Sequence, residues 1–260
     1  MMTPLTAWTA HMRFTGAAKN TIAHRTRTLR RFEREHGDLL TRTKADAIAF
    51  LSAYESPASR STMLSYLRSF YGWALAEGLI ESDPMEKVPS IKVPAGTARP
   101  ADHDDVVALL RTASPRTRCM ALLMVYAGLR SFEVSQFRPE HLVQLPQGGW
   151  WVAITHWKGG KAASVPIPHE YAEEIKAHPA WDVTTQTVQK AVRDALIAVG
   201  STATPHQLRH YYGTSVLRST QNLRKTQEML RHASPTSTAI YTKVTDEELT
   251  NAAEGLPRIA

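Results

Sequence analysis

Residues 205–215 read PHQLRHYYGTS and place His206 and Arg209 at i and i+3, on one face of a helix. Such a pair serves a hydrogen-bonded core or a site that holds an anion and moves a proton. Imidazole titrates near neutrality, and a guanidinium offers a planar fork of donors to two oxygens. Three further stretches carry residue types of similar capacity: AGLRSFEVSQF with Arg130, HWKGGK with Lys158, and LRHASPTSTAIYTKV with His232 and Tyr241. Each has an ordinary structural explanation when taken singly. Gly-Leu-Arg after a helix is a C-cap followed by a surface arginine, and a lysine beside two glycines is a hairpin turn. His-x-x-Arg is a structural pair, and a tyrosine among serines and threonines is a half-buried packing residue with a bonded hydroxyl.

In this order and context the four stretches resemble the signature of the tyrosine recombinase family, the phage integrases and Xer-like resolvases: Arg, Lys, His-x-x-Arg, His or Trp, and Tyr. The likeness covers the whole second part of the chain, and the helical first part resembles the family's core-binding domain. It implies a site-specific recombinase that cleaves and rejoins DNA through a 3′-phosphotyrosyl intermediate, in the role of a phage or mobile-element integrase. The catalytic residues it implies are Arg130, Lys158, His206, Arg209, His232 and Tyr241.

The chemistry asks for those types. Attack on a phosphodiester builds negative charge on nonbridging oxygens, which a site without metal must meet with fixed cationic donors, here Arg130 and Arg209 with His232 as a third. Tyr241 is then the nucleophile, and because phenol has a reference pKa near 10 it wants a proton acceptor, for which His206 is the candidate. The resemblance makes Lys158 the general acid for the leaving 5′-oxygen. Lys161, three residues on in the same turn, is the competing choice, and motif placement favours Lys158. Tyr211 and Tyr212 follow the His-x-x-Arg on its own helix and are expected to pack or face DNA; Glu133 is expected to orient a neighbouring side chain or a helix end. No metal and no cofactor is expected. The chain departs from the commoner family pattern in two places. Leu230, Arg231 and His232 stand where many relatives have Leu-Gly-His, which removes a helix-ending glycine and adds a cation near the phosphate. His156, Trp157 and Lys158 stand where a glycine usually precedes the lysine.

The elements that must position these residues are legible from periodicity and caps. Thr3 and Pro4 open a helix with Leu5, Trp8 and Met12 on one face; Asn20 or Thr21 caps a second, with Ile22, Leu29 and Phe32 aligned and Gly37 at its end. Thr43 with Asp46 begins a third. The fourth, over roughly residues 59–77, lines up Met63, Tyr66, Leu67, Phe70, Tyr71 and Trp73 before Gly78. Four prolines and a glycine in DPMEKVPSIKVPAGTARP leave no room for a helix and predict a linker. A helix near 104–112 and one opened by Ser114 and Pro115 follow. The segment HLVQLPQGGWWVAITHWKGGKAASVPIP then alternates β-branched and aromatic residues around two turns, PQGG and KGGK, as three antiparallel strands would. The expected fold is mainly α with a small three-stranded antiparallel sheet: a helical DNA-binding domain over 1–83, a linker over 84–100, an α+β catalytic domain over 101–244 and a tail over 245–260. In the tail Thr245 and Glu248 form a capping box for a helix too short to stand alone, which in the family docks on a neighbouring protomer; packing in cis is the alternative.

Composition narrows the class. The formal charge is +7, and residues 1–99 carry 14 Lys+Arg against 9 Asp+Glu, so the first part is the better candidate for docking on a polyanion. Arg25, Arg27, Arg30, Arg31 and Arg34 on the second helix are the candidate DNA contacts, with a solvated basic face as the bland alternative. The partners implied are double-stranded DNA, a homotetramer in the synaptic complex and, as an accessory, a directionality factor. Cys119 is the single cysteine, which rules out an internal disulfide and a cysteine zinc cage. MMTPLTAWTA lacks a signal-peptide layout and no apolar run approaches the eighteen or so residues of a span, so no membrane is expected and the place is the cytoplasm, on the nucleoid when DNA is bound. The short first part is expected to leave out the arm-binding domain of larger phage integrases. A Xer-like dimer resolvase, a type IB topoisomerase-like relaxing enzyme, a two-histidine nuclease and a non-catalytic DNA-binding regulator are the competing readings.

Overall fold

Thr3 accepts a hydrogen bond from the Thr6 N–H and Pro4 supplies a preset φ, so α1 runs Pro4–Phe14 and buries Leu5, Trp8 and Met12. This computed structural model describes residues 2–94, 98–146, 148–154, 163–178, 182–231 and 238. α2 (Lys19–His36) starts earlier than either Asn20 or Thr21 would set it, with Ala18 as an N-cap that offers no side-chain bond. The turn before it decides this: Gly16 has φ +77°, and the Ala17 N–H reaches back 2.9 Å to the Met12 carbonyl, so the chain leaves α1 already aimed into α2. α3 (Lys44–Ser52) opens on the Thr43–Asp46 capping box, and α4 (Pro57–Ala76) on Ser56.

These helices share a core in which Trp8 meets Phe70 edge to face at 5.3 Å and Phe32 lies 4.9 Å from Phe50. The buried Tyr71 hydroxyl donates to the Leu39 carbonyl at 2.9 Å. Burying each such ring or large aliphatic side chain stabilises by roughly 1.5–3 kcal/mol before entropy is counted. Met85 and Val88, within the proline-bearing stretch, are buried in this same core. The chain divides into two compact units, Met1–Ala95 and Gly96–Ala260.

The second unit begins with α5 (His103–Thr112), capped by Asp102, and α6 (Pro115–Tyr126), whose residues from Cys119 to Val125 are all buried. Burial pushes the Cys119 thiol up to about 11. A short α7 (Ser131–Gln136) leads to three antiparallel strands in the order β1-β2-β3: Leu142–Gln144, Trp150–Ile154 and Ala163–Ile167. Trp150, Val152 and Ile154 face the core, as period-two alternation requires. Pro166 sits on the edge strand β3, where its missing N–H costs the ladder nothing. The β1–β2 turn holds Gly148 and Gly149 at φ +90° and +86°; the KGGK turn lies outside the described residues. The chain then returns to helix: α8 (His169–Ala177), α9 (Thr185–Ala198), α10 (Pro205–Thr220) and α11 (Leu223–Leu230). The protein is thus mostly helical with a small antiparallel sheet. No helix among the described residues is long and apolar enough to cross a membrane.

Candidate active site

α6 ends in a turn that only glycine allows. Gly128 has φ +59°, and a Cβ there would fall 2.4 Å from Cδ1 of Tyr212, whose ring lies against the backbone. That close approach brings α10 against the end of α6. It also sets Arg130 as the N-cap of α7, with its backbone N–H donating to Glu133 Oε2 at 2.8 Å and its Nη1 donating to Glu133 Oε1 at 2.9 Å.

Glu133 is the hub. It is buried, and besides Arg130 it accepts from Nη2 of Arg231 at 2.9 Å on Oε2, with Nη1 of Arg209 at 3.9 Å. Burial alone would raise its carboxyl, but the charge of Arg231, then the Arg130 N–H, and the charges of Arg209 and Arg130 hold it below the usual carboxylate range. Glu133 therefore orients neighbouring side chains and a helix end together, as its sequence position suggested.

Arg209 projects from the second turn of α10 and is 2% exposed. Its two terminal nitrogens donate to the carbonyls of Gly128 and Leu230, which ties the α6 turn to the end of α11. His206 lies one turn earlier on α10, where Pro205 holds the first position and the Thr204 N–H donates to Gln207 Oε1 at 2.9 Å. His206 reaches solvent, yet the protein around its ring, and after it the charges of Arg209 and Arg130, hold its pKa below the ordinary imidazole value. His210 crosses it edge to face at 4.6 Å and is pushed down to about 4, first by burial.

The neighbouring tyrosines are accounted for. Tyr211 shares a 2.8 Å hydrogen bond with His103 Nδ1, and Tyr212 is a core residue whose hydroxyl is pushed up to about 12 by burial. The structure thus brings Arg130, His206 and Arg209 to one place. Lys158, Lys161, His232, Tyr241 and the tail over 245–260 lie outside the described residues. Among the described residues, no three His, Cys, Asp or Glu side chains come together as a metal site.

Arg231 departs from the reading of it as an added cation near the phosphate. Its guanidinium is turned inward, with the side chain 2% exposed and bonded to Glu133 and to the carbonyls of Ala127, Gly128 and Met229.

In the first unit Arg27, Arg30 and Arg34 are exposed along one side of α2, as spacings of three and four require. Arg31 is engaged within the unit: Nε donates to Glu35 at 2.8 Å, Nη1 donates to the Tyr54 hydroxyl at 3.1 Å, and the guanidinium lies over the rings of Phe50 and Tyr54. Arg25 lies 5.9 Å over Tyr66.

Residues 177–248 match the phage integrase family. The tyrosine recombinase XerA of Thermococcus kodakarensis is 30% identical over 92% of this chain and 90% of its own length. XerC of Salmonella typhi is 32% identical over 74% and 71% respectively. Lambda integrase shares the fold at 17% identity. Its dimer bound to a COC′ core site gives a TM-score of 0.74 over 90% of this chain and 95% of that one, and its tetramer bound to a Holliday junction gives 0.73 over 94% and 78%. The chain belongs to the tyrosine recombinase family and is a tyrosine-type site-specific recombinase.

Proposed function

We propose that this recombinase cleaves a DNA strand with Tyr241, using Arg130 and Arg209 to hold the scissile phosphate. The Tyr241 oxygen bonds to phosphorus as the bond from phosphorus to the 5′-oxygen breaks. The phenolic proton goes to His206, and Lys158 gives a proton to the departing 5′-hydroxyl. Arg130, Arg209 and His232 stabilise the charge that develops on the nonbridging oxygens. The 3′-phosphotyrosyl link conserves the bond energy, so a second 5′-hydroxyl can reverse the step on a new strand without ATP and without a cofactor.

The observation that carries this reading is the imbalance of the buried cluster. Among the described residues, Arg130, Arg209 and Arg231 surround one carboxylate, Glu133, beside His206, whose pKa burial and then the charges of Arg209 and Arg130 lower. Like charges are gathered there at a cost that an incoming phosphate would offset.

On this reading 1–83 and 101–244 are the DNA-binding and catalytic domains, 84–100 links them, and 245–260 docks on a neighbouring protomer in a tetrameric synapse. Arg27, Arg30 and Arg34 contact backbone phosphates, while Arg25 and Arg31 contribute less because they are engaged within their own unit. The protein acts in the cytoplasm, on the nucleoid.

The role we favour is that of a phage or mobile-element integrase, working with a directionality factor. A Xer-like dimer resolvase is the second reading, and the 30% and 32% identities to XerA and XerC favour it. Attachment-site repeats beside the gene support the first, and a dimer-resolution site supports the second. The chemistry is tested with a nicked suicide substrate: the protein should form a covalent adduct on a denaturing gel, in EDTA as in buffer, and Tyr241→Phe should form none. An adduct through Tyr211 or Tyr212, or one that needs Mg²⁺, overturns the assignment.

A further inference from the structure

Arg231 closes α11 in the left-handed conformation, φ 54° and ψ 44°, with its N–H donating to the carbonyls of Gln227 and Glu228. Glycine does that backbone work without strain, whereas an L residue in this conformation is strained. Backbone geometry therefore does not explain an arginine at this position. Its guanidinium does: Nη2 donates to Gly128 O at 3.0 Å and Glu133 Oε2 at 2.9 Å, and Nη1 donates to Ala127 O at 3.1 Å and Met229 O at 3.3 Å. Arg209 meets the same two segments, through Gly128 O and Leu230 O. Two buried guanidiniums thus stitch the turn before Arg130 to the segment that leads to His232.

We propose that Arg231 is a positioning residue for strand cleavage: it anchors the end of α11 on the Gly128 turn and takes up the charge of Glu133, leaving Arg130 and Arg209 to the scissile phosphate. This rests on the proposed phosphate-holding role of those two arginines. Glu133 holds Arg130 in place through the backbone N–H and Nη1 together. With no third cation the carboxylate would be balanced by Arg130 and Arg209 alone, and the pair would present less net charge to an anion. The fork matters as well as the charge, because four acceptors on three chain segments are met by one planar group.

The test uses the full-length protein and the nicked suicide half-site, at protein concentrations that saturate the DNA. Arg231→Gly relieves the backbone strain and removes the guanidinium. Its rate of adduct formation at saturation should fall about 10- to 100-fold, the range typical for losing a group that orients the groups touching substrate. Half-site affinity should stay within about twofold of wild type, because bulk phosphate contacts elsewhere dominate binding. Arg231→Lys, which keeps charge but not the fork, should fall between the two. If Arg231→Gly melts below the assay temperature, Arg231→Lys carries the comparison on the same terms. A wild-type rate at saturation overturns the proposal, as does a loss that merely follows the unfolded fraction. If the wild-type protein itself forms no adduct, the proposed chemistry fails first, which is a different outcome from an adduct that Arg231→Gly forms equally fast.

Discussion

In the first unit the buried polar residues among those described are two threonines, Thr26 and Thr28, and both hydroxyls are bonded close by, at 3.3 Å to Thr9 and at 3.0 Å to the His24 carbonyl. The second unit buries Glu133, Arg209 and Arg231, all at one place. The first buries none of its cations, and Arg27, Arg30 and Arg34 on α2 are exposed, over a core of aromatic and aliphatic contacts. The second takes cations in. An interior salt bridge seldom adds stability over apolar residues of the same volume, so stability does not account for the second arrangement. On the proposed chemistry, the difference separates two uses of arginine: a surface charge that attracts a polyanion at long range, and a desolvated donor fixed where charge develops during reaction.

The largest effect should come from the inner cations. Arg209→Lys keeps one positive charge but loses the fork to Gly128 and Leu230, and adduct formation should fall about 100- to 1000-fold with half-site binding little changed. Equal losses of binding and rate would erase the distinction between the units. Acid should separate them next. The Glu133 carboxyl titrates in the folded protein below its unfolded value of about 4.3. Its contribution to stability is therefore complete above that value and disappears as pH falls through the lower folded one. Hydrogen exchange followed from pH 5 to pH 3 should show α7 and α10 losing protection before α2 and α4, and added salt should matter little to the order because the pair is buried. The reverse order breaks the comparison. The smallest effect belongs to the outer cations. Replacing Arg27, Arg30 and Arg34 singly by Gln should weaken DNA binding a few fold each and lower the slope of log affinity against log salt by about one for each phosphate no longer neutralised, with the cleavage rate at saturation unchanged.

Much of the first unit was legible because its rules are local. Thr3, Pro4, Leu5, Trp8 and Met12 state where a helix starts and which face it buries, and the Thr43–Asp46 box states it again. The start of α2 was not legible, since a backbone turn at Gly16 set it and no side chain announced it. On α4 the aromatic stripe hid Leu64, which is buried, while Met63 and Tyr66 are only half so. In the second unit Arg130, His206 and Arg209 could be picked out because their order and spacing carry a pattern, and the three do come together. The inward turn of Arg231 could not, because it depends on the sign of one φ angle and on carbonyls some hundred residues earlier in the chain. Contacts of that sequence separation leave no periodicity to read.

The burial of Cys119 sets how this protein can be watched at work. It is the chain's one thiol, it is 1% exposed on α6, and with its proton held to about 11 roughly one molecule in ten thousand carries a thiolate at pH 7. Maleimide dyes will pass it by while the fold is intact. A cysteine placed by design on the outer face of α2 or α9 would then take the label alone, giving single-molecule fluorescence of assembly on DNA a clean background without first removing a native residue from the core.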